Sequence, residues 1–152
     1  MEIQDILEKI VNGVAVVTSK RETDINGLSV AWMTQVSYSP PLVMVCVGKE
    51  KYTHELIDDS GGFAINILSE RQKDVAKLFG LQSGRTSNKF NDVEYELKKS
   101  GAPILKDCLA YIDCTVHKSI DVGDTTLFVG EILEASINNR EKPLIYNSKD
   151  YF

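Results

Sequence analysis

Apolar residues along the chain fall into short runs whose period switches between helix and strand. Ile3, Ile6, Leu7, Ile10 and Val11 recur at i, i+3, i+4, i+7 and i+8, which predicts one apolar stripe on an N-terminal helix ended by Asn12-Gly13. "VAVVTSK" then reads as a buried strand. The polar stretch "KRETDING" closes on Asn26-Gly27, a hairpin signal. "LSVAWMTQVS" is a second, bent strand; Pro40-Pro41 stops its pairing, and the fully apolar "LVMVCV" makes a third.

"THELIDDS" predicts a short helix with Thr53 as its N-cap, ended by Gly61-Gly62. "FAINIL" is strand-like. Ser69 and Gln72 form a capping box that opens the helix "ERQKDVAKLF", with Gly80 as C-cap. "LQSGRTSNKF", from Leu81 to Phe90, is a polar loop. "LAYIDCTVHKSI" alternates as a strand, "DVGD" turns, "TTLFVGEILEASI" is another long strand, and "KPLIYN" is a candidate for the last. No internal repeat and no linker divides the chain, so residues 1–152 read as one domain. Some six strands with short helices between them predict a mainly β fold, a closed barrel with helical decoration.

Composition narrows the function classes. A net charge of −5 argues against broad nucleic-acid or membrane-surface binding, which reward positive charge. No apolar run approaches the ~20 residues of a membrane helix, and the acidic, amphipathic "MEIQDILEKI" is not a signal peptide. Cys46, Cys108 and Cys114 form no C-x-x-C pair. Cys108 and Cys114 on one strand would stand ~20 Å apart, too far for a disulfide without a bend. They are expected as buried or half-buried thiols in a reducing cytoplasm. His54 and His117 have no metal-ligand spacing, and Ser19, Ser29 and Ser37 sit in no nucleophile-elbow pattern. Glu131 and Glu134 fall on opposite faces of a strand, so they form no carboxylate pair; an inward Glu131 would call for a partner.

The candidate chemistry lies in "VGKEKYTHELI". A buried strand ends at Val47, Gly48 permits a turn, and a helix starts near Thr53 behind Lys49 and Lys51. Free N–H groups at a helix start, a hydroxyl and two ammonium groups suit a phosphate; they equally describe a cap flanked by solvated lysines. In "GLSVAWMTQVS", a strand leaving its sheet exposes peptide groups to the edge of a planar heterocycle. Trp32 packs beside such a ring or fills the core.

The segments "GVAVVTS", "GLSVAWMTQVSYSPPLVMV", "KEKYTHELI", "GGFAINIL", "SGRTSNKF", "GAPIL" and "DVGDTTLFVGEI" follow one another in an order and spacing that resemble the flavin reductase-like, FMN-binding split-barrel family, in its flavoredoxin and ferric-reductase branch. The resemblance covers nearly the whole chain. It implies a Greek-key six-stranded split β-barrel with short flanking helices, a homodimer, and FMN, with FAD as the variant cofactor, near the dimer interface. It implies that Ser29, Val30, Ala31 and Trp32 line the isoalloxazine ring through backbone groups, with Ser37 close to the cofactor. Lys49, Lys51, Tyr52, Thr53 and His54 should surround the phosphate, and Lys89 should reach the flavin or its phosphate. Asn66 is a weaker candidate, which otherwise satisfies local backbone groups.

The implied function is a flavin-dependent oxidoreductase, a flavin reductase or electron-transfer flavoprotein. It would take electrons from NAD(P)H or a protein donor and pass them to free flavin, a ferric chelate or a rubredoxin-like carrier. Flavin supplies the redox chemistry, so no catalytic dyad is expected. Two departures from the family pattern bear on this. Gly123-Asp124-Thr125 stands where many relatives carry Gly-Asp-His, a histidine associated with the nicotinamide, which weakens direct NAD(P)H use. The chain also has little beyond the last common strand, which would leave the site more open. The rival readings are a non-catalytic flavin-binding or storage module and a β-barrel adaptor with no cofactor.

Overall fold

The computed structural model describes residues 2–149. Seven strands form one antiparallel sheet: β1 (Ala15–Arg21), β2 (Asp24–Val30), β3 (Met33–Ser37), β4 (Leu42–Gly48), β5 (Gly62–Ile67), β8 (Ala110–Val122) and β9 (Thr125–Ile137). A separate two-stranded ribbon pairs β6 (Tyr95–Leu97) with β7 (Pro103–Leu105). The helices are α1 (Ile3–Leu7), α2 (Tyr52–Ser60) and α3 (Lys73–Leu81). The sheet runs β2-β1-β5-β8-β9-β4-β3, and its two edges, β2 and β3, are joined by Ala31 and Trp32 alone. So short a link spans only some 10 Å, so the sheet curls until its edges meet. The mainly β, barrel-like class is therefore as expected. The strand read as bent is broken in two at Ala31-Trp32, which gives seven strands where six were expected.

Burial explains the apolar runs. Val17, Val45, Phe63, Ile65 and Phe128 fill the barrel interior. Val14, Val16 and Ala64 point outward and are covered by Phe79 of α3 and by Phe90, Ile104 and Leu105. β1 and β5 are apolar on both faces because both are covered. In β4 only Val43, Val45 and Val47 are buried; Leu42, Met44 and Cys46 are half-buried on the outer face.

Several local expectations are corrected. α1 stops at Leu7 rather than Val11, and its stripe is between 49% and 76% exposed. A helix this short needs packing to persist, and among the described residues its apolar stripe stays exposed. The β1–β2 turn is Glu22-Thr23, with Glu22 left-handed at φ 56°. Asn26-Gly27 lies inside β2, opposite Ser19 and Thr18. The α2 N-cap is Lys51 and makes no side-chain bond; Thr53 is inside the first turn. α2 does end at Gly61, whose φ of 75° suits a residue without Cβ.

α3 begins at Lys73 and runs through Gly80 to Leu81, while Gln72 Oε1 accepts from the Ser69 N–H at 3.0 Å, half of the expected box. "KPLIYN" forms no strand, only isolated bridges of Pro143 to Ser69 and Ile145 to Gly13. Glu131 is exposed rather than inward. Among the described residues no helix is long and apolar enough to cross a membrane.

Candidate functional site

α2 starts where β4 leaves the barrel, beside β2 and the end of α3, and the loop 82–89 passes over the junction. These elements enclose a polar cavity of about 430 Å3, lined among others by Asn26, Lys51, Thr53, Ser83, Arg85 and Lys89. A second cavity of about 330 Å3 adjoins it, and Leu28, Lys51 and Gly80 line both. Its wall is mostly apolar: the backbone run Ser29–Trp32, with Cys46, Thr125 and Tyr146. Each volume lies in the range of roughly 300–1,000 Å3 typical of small-molecule sites. Together they make one long trough, apolar at one end and cationic at the other.

Lys89 carries the electrostatic argument. It is only 4% exposed, yet it is one of the residues lining the polar cavity. Its Nζ donates to the Gly27 carbonyl at 2.9 Å and the Phe79 carbonyl at 3.1 Å. An ammonium has three protons, so one donor remains. Burial first, and the charge of Lys51 second, lower its pKa from 10.5 to about 8. Two cations held close together in a partly closed polar cavity favour an anion between them. At the start of α2 the His54 N–H donates to the Lys51 carbonyl at 3.1 Å, and the N–H groups of Tyr52 and Thr53 precede the first i→i−4 bond of the helix. The corner is not filled by the protein's own side chains.

The structure sorts the candidate residues. Lys51, Tyr52, Thr53 and Lys89 line the polar cavity. Ser29, Val30, Ala31 and Trp32 line the apolar one. Ser29 does so through its backbone, since its hydroxyl donates to the Ala76 carbonyl at 2.7 Å. Ala31 and Trp32 fall between β2 and β3, although the Trp32 carbonyl still accepts from the Cys46 N–H of β4 at 3.0 Å. Trp32 is 58% exposed and does not belong to the core.

Three expected residues are elsewhere. Lys49 Nζ bonds the Gly123 carbonyl at 3.1 Å and ties the β4–α2 turn to the β8–β9 turn. His54 turns away; its Nε2 lies 2.8 Å from Thr126 Oγ1 and its ring packs on Phe128. Ser37 ends β3 and lines neither cavity of this chain. Asn66 is fully buried: its amide donates to the Val16 carbonyl at 3.0 Å and accepts from the Leu105 N–H at 2.8 Å. That is the local backbone role.

Sequence reasoning missed Asn26, Arg85 and Cys46. Asn26 was hidden by its resemblance to a hairpin turn. Arg85 sits in a polar loop whose position only the fold determines. Its guanidinium bonds the Glu50 carbonyl at 3.2 Å and Glu55 Oε1 at 2.6 Å, and lies 5.4 Å from the Tyr52 ring centre. Thr125, at the variant turn, lines the apolar cavity.

Comparison with known proteins identifies the family. Residues 7–152 match the Flavin reductase like domain family. The reductase subunit HsaB of a Mycobacterium tuberculosis flavin-dependent monooxygenase is 32% identical over 150 residues, covering 97% of this chain and 79% of that protein. A high molecular weight rubredoxin of Moorella thermoacetica is 30% identical over 92% of this chain, which spans 62% of that protein's length. The NADH:FAD oxidoreductase SgcE6 of Streptomyces globisporus, solved in complex with NAD and FAD fragments, superposes with a TM-score of 0.86 at 30% identity, covering 95% of this chain and 86% of that one.

Proposed function

This chain belongs to the flavin reductase like domain family, and from that premise we propose that its joined cavities bind one FMN, and that it works as an FMN-dependent oxidoreductase of the flavin reductase type. The observation that carries the assignment is the buried Lys89 ammonium, crowded by Lys51 on the wall of an open cavity. A phosphate monoester answers that charge, and the apolar trough beyond Lys51 suits a flat ring. Lys51, Thr53, Lys89 and the α2 amides hold the phosphate; FAD would present the same group with an adenylate attached.

Bound flavin supplies the redox chemistry, taking two electrons from a reduced nicotinamide or a protein donor and releasing them to an acceptor. The chain's own part is placement and electrostatics. Peptide N–H groups freed at Ala31-Trp32 would donate to the polar edge of the ring and favour the negative charge it gains on reduction. Val30 and Ala31 exclude water from one side, while the exposed Trp32 and half-buried Thr125 border the open side where a donor approaches.

Use of NAD(P)H is supported by the relative solved with NAD and FAD fragments. A protein acceptor, such as a rubredoxin-like carrier, is supported by the names of the other two relatives. The whole chain, 1–152, acts as one domain, and its free thiols suit a reducing cytoplasm. A homodimer is supported by the uncovered outer face of β3 and β4, where Val36 and Tyr38 (89%) are exposed beside an apolar cavity lined by Met33, Met44, Ile67 and Ile132.

The test is to load the protein with FMN and mix it with NADH or NADPH in a stopped-flow spectrometer without oxygen. Rapid bleaching supports the assignment. Tight FMN binding without reduction by either nucleotide points to a protein donor or to the storage reading. No FMN binding removes the proposal.

A further inference from the structure

Asn26 stands on β2, where its side chain reaches the first turn of α2. It is 4% exposed, and its Nδ2 donates to Thr53 Oγ1 at 2.9 Å. Thr53 is itself fully buried, and both residues line the polar cavity. A hydroxyl has one proton to give and lone pairs to receive. With the amide occupying a lone pair, the proton needs an acceptor, and among the described residues Thr53 donates to none. The cations on the wall, Lys51, Arg85 and Lys89, are donors only. Glu50, also on the lining, makes no bond to Thr53.

We propose that Asn26 is a positioning residue: it fixes the Thr53 hydroxyl as a donor toward a phosphate monoester, and so selects phosphorylated over unphosphorylated flavin. This rests on the flavin reading above and gives a role to a lining residue that the reading leaves unassigned. Gly84 supports the arrangement from the loop. A Cβ at position 84 would overlap the Asn26 amide, so a side chain there must displace the amide or the loop. The neighbouring Gly27 contributes its carbonyl to Lys89. The Asn26-Gly27 pair thus serves the cavity from within a strand.

The experiment is a double-mutant cycle read by fluorescence titration with FMN and with riboflavin. Asn26→Ala should weaken FMN binding about tenfold, as expected for one charge-assisted hydrogen bond, and riboflavin binding less than about twofold. In a Thr53→Val background the same Asn26→Ala change should cost FMN less than about twofold, because its effect passes through the hydroxyl. Gly84→Ala, which displaces the amide without removing it, should reproduce the FMN-selective loss and covers the case in which Asn26→Ala does not fold.

Equal losses for both ligands would mean that Asn26 is only a strut and would overturn the proposal. So would an undiminished tenfold loss in the Thr53→Val background. A wild-type protein that binds FMN no better than riboflavin would instead defeat the phosphate assignment itself.

Discussion

Two buried asparagines on the barrel wall behave in opposite ways. Asn66, on β5, spends its amide entirely on the protein: it donates to Val16, accepts from Leu105, and stands beside Thr18, whose hydroxyl bonds the Pro103 carbonyl at 2.5 Å. Asn26, on β2, bonds a threonine whose own proton is unspent, beside a lysine with a donor to spare. The first cluster is closed and pins the β6–β7 ribbon to the barrel. The second is closed on one side and open to a cavity on the other. Burial of polar groups is costly unless they are satisfied, so a cluster left short of acceptors marks where a ligand belongs.

Asn66→Ala strips partners from several buried backbone groups and should cost about 4 kcal/mol of folding stability. Chemical denaturation checks this, and FMN affinity of the folded fraction should stay within about twofold. A loss of FMN binding without loss of stability would erase the distinction between the clusters. Lys51→Ala combined with Thr53→Ala should do the reverse, weakening FMN by roughly 2–4 kcal/mol in a fluorescence titration, since each charge-assisted bond is worth about 1.5–3. Unchanged affinity would remove these side chains from the phosphate site.

The third expectation concerns pH. The Lys89 pKa is lowered to about 8 in the folded protein, against 10.5 ordinarily. Over that interval the unfolded chain binds more protons, so the stability of the flavin-free protein should rise with pH. A bound phosphate favours the charged lysine instead. FMN affinity should therefore fall as pH climbs past about 8, by roughly tenfold between pH 7 and 9.5, while riboflavin affinity stays flat. Calorimetric titration across this range checks it, and Lys89→Met should abolish the slope. The smallest effect is expected for Arg85→Gln. That guanidinium is partly exposed and engaged with Glu55, so its loss should change FMN binding by under ~1 kcal/mol.

Much of the fold was readable from residue order. The bounds of β9 match its predicted run, and Gly61 stops α2 as its conformational freedom suggests. Errors arose where one local signal has two physical uses. Asn-Gly marks tight hairpins, but here the turn is at Glu22-Thr23 and Asn26-Gly27 lies within the strand. A threonine before an apolar helix looks like a cap, but Thr53 is turned inward against Asn26. The N-terminal stripe has helical spacing, yet only Ile3–Leu7 is helical. For Asn26 and Thr53 the deciding partner is distant in sequence; the stripe of α1 finds no cover among the described residues.

Residue order was enough for the periods and most of the breaks between them, because those depend on neighbours a few residues apart; the break of one expected strand at Ala31-Trp32 was not among them. Only the tertiary structure decided which cations converge. Lys51 and Lys89 are 38 positions apart and Asn26 and Thr53 are 27, distances that no local pattern spans. Barrel closure and the packing of α3 bring them to one cavity, where burial changes what their charges and hydroxyls can do.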